Sequence, residues 1–357
     1  MTDARRLLRW YDSNCRDLPW RENQDPYRIL VSEFMLQQTR AEVVAQRFLR
    51  FVNRFPTLEA LAAASEEEVM AEWSGLGYYR RARNLRASAR AISKKTQWPE
   101  SATELAELPG VGAYTSAAIA SIAFGQRVAA MDGNVRRVTA RLLAQPGITT
   151  NTQVATALER EARRLLDESR PGDSNQALME LGATVCKPQP RCELCPLAKR
   201  CLAHARGNEI SYPHRPKAKP RSNRSWQVVV VEHQGKVWLQ RRRRDARWLP
   251  GMFELPWVEG VEGPLSAEQA KKTERSIAVL IGHPVCLLEH AGVVSHAIGR
   301  RAIRAGVWLA RPLAETNNMP TGERLGEGRW ATRKQIRELP TTSLVGKALK
   351  KVEEDRN

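Results

Sequence analysis

The sequence lacks any long hydrophobic run, which excludes a membrane-spanning helix. None of its apolar stretches approaches the roughly 18 residues that a span requires. The N-terminal segment MTDARRLLRW has no apolar core of the kind that secretory signal peptides carry. We therefore expect a cytoplasmic protein without a membrane partner, in a compartment where thiols stay reduced.

Acidic residues are scarce relative to basic ones. The 357 residues include 57 lysines and arginines but only 39 aspartates and glutamates, so the formal net charge is +18. A surface this basic attracts polyanions, and nucleic acid is the first candidate partner. A basic surface that serves only solubility is the alternative that composition leaves open.

Cysteine is also rare, but four of the six cysteines fall within one short segment, GATVCKPQPRCELCPLAKRC. Clustered cysteines in a reducing compartment indicate a metal site rather than disulfides. The spacing C-x5-C-x2-C-x5-C is compatible with zinc or with an iron–sulfur cluster. Zinc sites of four cysteines usually show two close C-x2-C pairs, whereas this segment has one. The spacing therefore favours a [4Fe–4S] cluster, held by Cys186, Cys192, Cys195 and Cys201.

The chain is too long for one ordinary hydrophobic core, and its sequence pattern changes after residue 208. Residues 1–208 have helical patterns: the stretch between Pro26 and Pro56 predicts a helix packed on one face, and Ser101 begins a capping box. No convincing alternating strand precedes residue 225. The first domain is therefore expected to be helical.

The remainder of the chain has the pattern of a tether and a mixed domain. Residues 209–224 are basic and contain prolines, which is typical of a linker. Residues 225–357 open with two β-rich runs around a His-Gln-Gly turn, which predicts a hairpin. A strand at 305–310 and a terminal helix at 343–352 complete a predicted α+β domain.

A helix–hairpin–helix is predicted at about residues 105–124. Pro109 ends one helical run, and Gly110 and Gly112 allow a tight turn before a second run that begins near Ala113. The free N–H groups and positive dipole end of that second helix form an anion site without any side chain. Such a site suits a DNA phosphate, because it holds the backbone without reading its sequence.

Two carboxylates are candidates for chemistry. Glu33 lies in ILVSEFMLQQTR among apolar residues, which disfavour its charged form and suit it to donate a proton. Asp132 lies in AAMDGNVRRV, ahead of a helical run. An exposed helix glutamate at position 33 and a plain N-cap aspartate at position 132 are the alternatives.

These segments together resemble the endonuclease III superfamily of DNA glycosylases. Four segments look specifically like the MutY family of adenine DNA glycosylases: VSEFMLQQTR, GLGYYRRARNL, LPGVGAYTSAAI and MDGNVRRV. The match covers nearly all of residues 10–205. The α+β domain also fits, because that family carries a C-terminal domain similar to the Nudix hydrolase MutT. The resemblance implies a double-stranded DNA substrate with adenine opposite 8-oxoguanine or guanine, and a protein that we expect to be monomeric.

The resemblance implies roles for the reacting groups, position by position. Glu33 matches the general acid and base. Asp132 matches the carboxylate that stabilises or captures the sugar cation, and Asn134 matches an asparagine that supports it. Tyr114 stands where relatives that also cut the strand have a lysine nucleophile. A tyrosine cannot form a Schiff base, so we expect a monofunctional glycosylase.

The resemblance also implies residues that contact DNA. Gln38 and Tyr78 match residues wedged into the duplex around the lesion. Arg21 and Gln176 match positions that line the adenine pocket. Ser295 and His296 match part of a lesion-reading loop, in which this chain has a valine where the family often has phenylalanine. An ordinary polar surface is the alternative for each of these side chains.

Two departures from the family pattern qualify these expectations. The family's cysteine spacing is C-x6-C-x2-C-x5-C, so the first cysteine loop here is one residue shorter. The region that matches the Nudix metal helix keeps only Glu268 and Glu274, so nucleotide hydrolysis is not expected. Competing hypotheses are a glycosylase for oxidised pyrimidines, a DNA-binding protein that locates lesions without catalysis, and a Nudix hydrolase.

Overall fold

The structure, a computed structural model, describes residues 1–214, 220–243, 245–246, 249–313 and 328–355. The chain separates into two compact units. The first comprises Met1–Ser65 with Arg81–Lys217, and the second Glu66–Arg80 with Ala218–Asn357. The predicted helical and α+β fold classes are confirmed by these units. Boundaries at 208 and 224 remain predictions, and part of the predicted linker, residues 215–219, lies outside the described residues.

The helices are distributed over both units, and α5, α13, α14 and α15 belong to the second. In the part of the chain that the structure describes, none is both long and apolar enough to cross a lipid bilayer. The helices are α1 (Asp3–Asn14), α2 (Pro26–Leu36), α3 (Ala41–Arg54), α4 (Leu58–Ala63), α5 (Glu66–Glu72), α6 (Arg80–Ile92), α7 (Ala102–Ala106), α8 (Ala113–Phe124), α9 (Gly133–Leu143), α10 (Thr152–Arg164), α11 (Pro171–Thr184), α12 (Leu202–Ala205), α13 (Ala267–Ile281), α14 (Arg333–Glu338) and α15 (Ser343–Asp355).

The prediction of one helix between Pro26 and Pro56 is wrong, because the chain breaks after Leu36. Gln38 adopts a left-handed backbone conformation, with φ of 59°, which a continuing helix does not allow. The four residues between α2 and α3 form a loop, Gln37–Arg40, that is called the wedge loop below. The two helices differ in burial, since α2 is buried along nearly its whole length whereas α3 buries one face.

The capping box predicted at Ser101 is confirmed. The Ser101 hydroxyl accepts a hydrogen bond from the Glu104 N–H at 3.2 Å, and the Glu104 carboxylate accepts one from the Ser101 N–H at 3.0 Å. This exchange fixes the start of α7, the short helix before the hairpin. The second helix of the hairpin, α8, begins at Ala113 as predicted.

The second unit is built on one mixed sheet of seven strands. Its main path is β3-β2-β1-β6-β5, with β4 added beside β1 and β7 beside β2. The first two strands form the predicted hairpin, and the strand predicted at 305–310 lies within β6. The strands are β1 (Ser222–His233), β2 (Lys236–Arg241), β3 (Phe253–Glu254), β4 (Trp257–Glu259), β5 (Val285–Ile298), β6 (Arg301–Pro312) and β7 (Gly328–Thr332).

Strand β1 is covered on both faces. It runs parallel to β6, with Val228 opposite Val307, and all four residues of Val228–Val231 are fully buried. Val228 and Val230 pack in a core that includes α15, whereas the alternate valines pack in a core that includes α13. The unbroken run of valines is therefore the pattern of a strand between two layers of helix.

The expected loop at Ser295 and His296 is wrong, because both residues lie inside β5. Ser295 is paired with Arg304 of β6, and His296 with Ile303. The long antiparallel pairing of β5 with β6 extends through this segment and ends only at the turn after Ile298. Alternation of exposed and half-buried side chains along this part of β5 leaves the Ser295 side chain exposed.

Candidate active site

Glu33 is carried by α2, a helix that is almost entirely buried. Its carboxyl group belongs to a residue that is only 4% exposed, and Oε2 has no hydrogen-bond partner among the residues that the structure describes. Burial raises the pKa of Glu33 to about 7; the Tyr114 hydroxyl lowers it by hydrogen bonding, and the negative charge of Asp132 raises it. Glu33 is thus a carboxyl group that exchanges its proton near neutral pH, and the exposed alternative is wrong.

Asp132 is both the N-cap of α9 and a group of the same site. Its Oδ1 accepts a hydrogen bond from the Val135 N–H at 2.6 Å, and its Oδ2 accepts one from Asn134 Nδ2 at 2.9 Å. Burial raises the pKa of Asp132, while these donors oppose the rise. The cap thus fixes the carboxylate in one orientation and supplies donors that favour its charged form, in contrast to Glu33.

The segment that leads to Asp132 is held by a buried asparagine. Asn175 of α11 accepts a hydrogen bond from the Ala130 N–H at 2.9 Å and donates to the Val128 carbonyl at 2.8 Å and to the Ser121 hydroxyl at 2.9 Å. All of its amide groups are therefore paired with the extended segment or with α8. This pairing sets where the segment ends and α9 begins.

The hairpin before α8 is tight at Gly110. Its φ is +78°, and a Cβ atom there would lie 2.3 Å from Asn84 Nδ2, so both backbone conformation and space require glycine. The Ser88 hydroxyl donates to the Pro109 carbonyl at 2.8 Å. Gly112 is the N-cap of α8 and provides no side-chain cap, which leaves N–H groups at this helix start available to an anion.

One cleft of the helical unit gathers the predicted residues. It is bordered by α2, the wedge loop, the hairpin, the start of α9 and one side of α11. The candidate residues that line it are Arg21, Glu33, Gln38, Gly110, Gly112, Tyr114, Asp132, Asn134 and Gln176. The sequence therefore identified residues from five separate segments that the fold brings to a single site.

Arg21 is held in this cleft by a carboxylate that the sequence analysis did not single out. The Glu180 side chain is fully buried and accepts hydrogen bonds from Arg21 Nη2 at 2.9 Å and from Arg16 Nε at 2.7 Å. Burial opposes ionisation, but the two guanidinium groups hold the pKa of Glu180 below its ordinary value. The arginine pair and Glu180 thus form a fixed polar wall of the cleft.

A helical spacing could have revealed Glu180. Gln176, Met179, Glu180 and Ala183 all line the cleft and follow one another at intervals of three and four residues, which place them on one face of α11. Once Gln176 is assigned to the cleft, this spacing points to Glu180. Arg16 has no comparable signal, because it precedes a short 3-10 turn and reaches Glu180 only through the tertiary fold.

Both residues predicted to enter the duplex have left-handed backbone conformations, which are uncommon for residues other than glycine. Gln38 in the wedge loop has φ of 59°, and Tyr78 in the second unit has φ of 48°. Gln38 is exposed at the cleft, and Tyr78 is 57% exposed. An exposed side chain on strained backbone is a feature of contact sites rather than of a packed core.

The start of α9 is connected to the cysteine segment by hydrogen bonds. Asn134 Oδ1 accepts from Arg137 Nη2 at 2.8 Å, and Arg137 Nε donates to the Cys186 carbonyl at 2.8 Å. Close packing of α11 supports this contact, since a Cβ atom at Gly182 would lie 2.5 Å from Asn134 Cβ. The position of Asn134 beside Asp132 therefore depends on the cysteine segment.

The four predicted cysteine ligands line one small cavity, together with Arg141, His204 and Glu209. All four are free thiols, and Arg141, which is 2% exposed, donates to Cys186 Sγ at 3.3 Å. Among the described residues, three potential metal-ligand atoms lie within 4.8 Å of one another only for Cys192, His204 and Glu209, so no three of the cysteine sulfurs are this close together.

The distances between the cysteine sulfurs can be compared with those of a zinc site. A four-sulfur zinc ion with bonds of about 2.3 Å places its sulfurs roughly 3.8 Å apart, which is closer than this arrangement provides for any three of the cysteines. The four cysteines in this arrangement therefore do not match a single zinc ion held by four sulfurs. A buried arginine directed at one sulfur also suits the negative charge of a thiolate-ligated cluster.

The remaining candidates, Ser295 and His296, lie in the second unit. The Ser295 hydroxyl accepts a hydrogen bond from Arg304 at 3.2 Å, and its carbonyl accepts one from Lys347 Nζ at 2.7 Å. Burial, and secondarily the charge of Lys347, lower the pKa of His296. Ser295 is thus an exposed residue whose hydroxyl and carbonyl each accept a hydrogen bond from a cationic side chain.

The chain resembles known repair proteins in both units. Residues 31–164 match the HhH-GPD superfamily of base excision DNA repair proteins, and residues 227–351 match the NUDIX domain. Adenine DNA glycosylase of Rattus norvegicus is 34% identical in an alignment that covers 99% of this chain and 78% of the relative. The Homo sapiens protein of the same name is 34% identical in an alignment that covers 97% of this chain and 72% of the relative.

A solved structure is similar to the helical unit. A thermostable thymine-DNA glycosylase superposes with a TM-score of 0.52 and 30% sequence identity, over 57% of this chain and 95% of that chain. The similarity confirms the helical fold, whereas that protein is named for a different base, thymine. Base specificity therefore needs evidence from the cleft itself.

The buried carboxyl group of Glu33 predicts a pH-dependent stability. Because the folded pKa, about 7, is higher than the ordinary value of 4.5, the folded state binds more protons between these values, and the free energy of unfolding falls as pH rises through that window. Glu33→Gln removes this titration. The free energy of unfolding of Glu33→Gln, minus that of wild type, should increase by about 1–3 kcal/mol from about pH 5 to pH 8. Denaturant unfolding at each pH measures this difference.

A matched control is Glu107→Gln, which neutralises an exposed glutamate of the same unit. That variant should follow the wild-type pH dependence. A Glu33→Gln curve parallel to wild type at all pH values would contradict the raised pKa.

Proposed function

Because the chain belongs to the adenine DNA glycosylases of base excision repair, we propose that its cleft removes adenine opposite 8-oxoguanine or guanine. The observation that carries the proposal is the pairing of two carboxyl groups in different environments. Glu33 is desolvated and has a pKa of about 7, whereas Asp132 receives two hydrogen bonds at its carboxylate oxygens. A glycosidic bond is cleaved by such a pair, one group neutral and the other charged.

Glu33 is proposed to be the general acid and then the general base. In its neutral form it donates its proton to adenine N7, and the bond between N9 and C1′ breaks with its electron pair leaving on the base. The ionised Glu33 then accepts a proton from water as the water oxygen bonds to C1′. Tyr114, whose hydroxyl lowers the pKa of Glu33 and donates to Met179 Sδ at 3.6 Å, is proposed to orient this carboxyl group between the two steps.

Asp132 is proposed to stabilise the positive charge that develops on the sugar, or to bond to C1′ transiently. Its orientation is already fixed by the Val135 N–H and by Asn134, so little reorganisation is needed when the charge appears. Asn134 supports this position through Arg137. In the cleft lining there is no lysine, so strand cleavage through a Schiff base is not proposed.

The rest of the cleft is proposed to hold DNA with the base turned out of the helix. The turn at Gly110 and Gly112 would bind a phosphate through backbone N–H groups. An enzyme must extrude a base from the duplex to reach its glycosidic bond. Gln38 of the wedge loop and Tyr78 of the second unit would enter the duplex around the extruded base. Arg21 and Gln176 would line the pocket for adenine, because their polar groups match the donors and acceptors of that base.

The second unit is proposed to recognise the base opposite adenine, through Ser295 and His296. Its NUDIX similarity does not imply nucleotide hydrolysis, because Glu274 of α13 accepts a hydrogen bond from the Leu287 N–H at 2.8 Å and so has a structural role. Glu268 is the other acidic residue of that helix and is exposed. Two such glutamates do not form the group of carboxylates that a divalent cation requires.

The cysteine cavity is proposed to hold a [4Fe–4S] cluster on Cys186, Cys192, Cys195 and Cys201. When bound, the cluster supplies cross-linking of the cysteine segment, and no step of the reaction is assigned to it. Arg137 and Arg141 both contact the Cys186 peptide, so they place this segment against α9. A reducing compartment is required for such a site, in agreement with the expected cytoplasmic location.

The base specificity is tested with duplexes that carry A opposite 8-oxoguanine, A opposite G, T opposite G, thymine glycol, or no lesion. We expect release of free adenine from the first two, with strand cleavage only after alkali. Glu33→Gln should lower the single-turnover rate by about 100- to 10,000-fold. Released base is measured by chromatography and cut strands by electrophoresis.

Asp132→Asn is the informative companion variant. Asparagine can cap α9, so the fold should be retained while the charge is lost, and we expect a loss of about 100-fold or more. Release of thymine or of an oxidised pyrimidine instead of adenine would overturn the proposal. No release of any base would leave a lesion-binding protein as the explanation.

The pH dependence of the reaction follows from the two pKa directions. The rate should fall as pH rises through about 7, because Glu33 then loses the proton that it must donate. It should also fall at acidic pH as Asp132, whose pKa is raised, becomes neutral. Single-turnover rates between about pH 4 and pH 9 should therefore describe a bell. A rate that rises steadily with pH would exclude Glu33 as the acid.

The metal proposal predicts a brown protein with a broad visible absorption band and with iron and sulfide in similar amounts. Cys186→Ser should weaken this band, whereas Cys15→Ser, at an exposed cysteine, should leave it unchanged. Iron and zinc are measured by elemental analysis. A colourless protein that contains zinc would point instead to the Cys192, His204 and Glu209 group.

A further inference from the structure

A buried guanidinium closes the end of α2, directly after the turn that carries Glu33. Arg81 of α6 is 6% exposed. Its Nη1 donates to the carbonyl oxygens of Phe34 at 3.0 Å, Met35 at 2.7 Å and Gln37 at 2.5 Å, and its Nη2 donates to Thr39 Oγ1 at 3.0 Å. These acceptors enclose Gln38, so one side chain binds the backbone on both sides of the proposed wedge residue.

The sequence around α2 explains why this donor is needed. The last carbonyl groups of a helix have no partner within it, and they are commonly satisfied by a glycine turn or by basic residues of the last turn. Helix α2 has no basic residue there, and Gln38 takes the left-handed conformation that glycine usually adopts. Arg81 supplies from another helix the donors that α2 lacks, and thereby stabilises the unusual backbone at Gln38.

Helix α6 also supports the hairpin. Arg81, Asn84 and Ser88 follow one another at intervals of three and four residues and so lie along one face of α6. Asn84 packs against Gly110, and Ser88 donates to the Pro109 carbonyl. The wedge loop is tied to α8 as well, since Gln37 Nε2 donates to Thr115 Oγ1 at 3.3 Å. One face of α6 therefore sets the spacing between the wedge loop and the proposed phosphate site.

We propose that Arg81 is a positioning residue that holds the wedge loop in the conformation presenting Gln38 to the duplex. Arg81 acts on extrusion of the base, and it has no role in breaking the glycosidic bond. The inference depends on the proposed function, because it takes Gln38 as the residue that enters the DNA. It adds to that function an explanation of how the wedge loop keeps its backbone conformation before DNA binds.

The test uses Arg81→Lys, which keeps a positive charge but loses the planar fork that reaches acceptors on both sides of Gln38. We expect the single-turnover rate on A opposite 8-oxoguanine to fall about ten-fold or more in the wild-type background, and no more than about two-fold in a Gln38→Ala background. Equal losses in both backgrounds would show that Arg81 acts on the fold in general and would overturn the proposal.

Extrusion is measured directly with 2-aminopurine at the target position, whose fluorescence rises when it leaves the base stack. In the Glu33→Gln background, which prevents cleavage, Arg81→Lys should lower the fluorescence rise about three-fold or more while affinity for undamaged duplex stays the same. Arg90→Lys is the matched control, since Arg90 lies on the same helix but donates to the Ala62 carbonyl at 2.8 Å. A full fluorescence rise in the Arg81 variant would contradict the proposal.

Thr39→Val provides a milder change if Arg81→Lys unfolds. It removes the hydroxyl that accepts from Nη2, so it should lower the rate in the same direction and lose its effect when combined with Gln38→Ala. A wild-type protein that releases no adenine would count against the proposed function. If the wild-type protein releases adenine but the effects of Thr39→Val and Gln38→Ala on the rate are additive, the proposal for Arg81 is wrong while the proposed function stands.

Discussion

The candidate site depends on the burial of one carboxyl group in an otherwise apolar helix. Glu33 is 4% exposed, and within the described part of the chain its Oε2 has no hydrogen-bond partner, so its charged form is disfavoured and its pKa is raised to about 7. A buried acid without compensating partners reduces stability once it ionises. A fold that tolerates this cost retains a group that can give and take a proton near neutral pH.

The surrounding elements keep the other groups of the site in fixed relation to Glu33. Asp132 is oriented by the helix that it caps, and Asn175 holds the segment before it. Arg16 and Arg21 are fixed by the buried Glu180. Asp132, Arg16 and Arg21 thus each have a hydrogen-bond partner in the fold and also line the cleft. A site built this way needs little rearrangement when charge develops in it.

At Asp132 the N-cap that the plain interpretation predicts is present, and its role in the chemistry stays a prediction. Asp132 also lines the cleft with Glu33. At Ser295 and His296 the expected residues are exposed or half-buried as a contact site requires, but they lie in β5 and not in a loop. At Glu274 the side chain binds the Leu287 N–H, so its presence in a Nudix-like helix is explained by packing.

The sequence by itself determined the elements whose cause is local: the turn at Gly110, the capping box at Ser101, the valine run of β1 and the family of the chain. It also named nine of the residues that line the cleft, because those residues lie in short recognisable segments. The tertiary structure alone decided the break after Leu36, the strand at Ser295 and the roles of Arg16, Arg81 and Glu180. These depend on hydrogen bonds between residues distant in the chain, such as Arg16 to Glu180 and Arg81 to Gln37. Periodicity cannot predict such bonds, because it records which face of an element is apolar and not which polar groups meet across the fold.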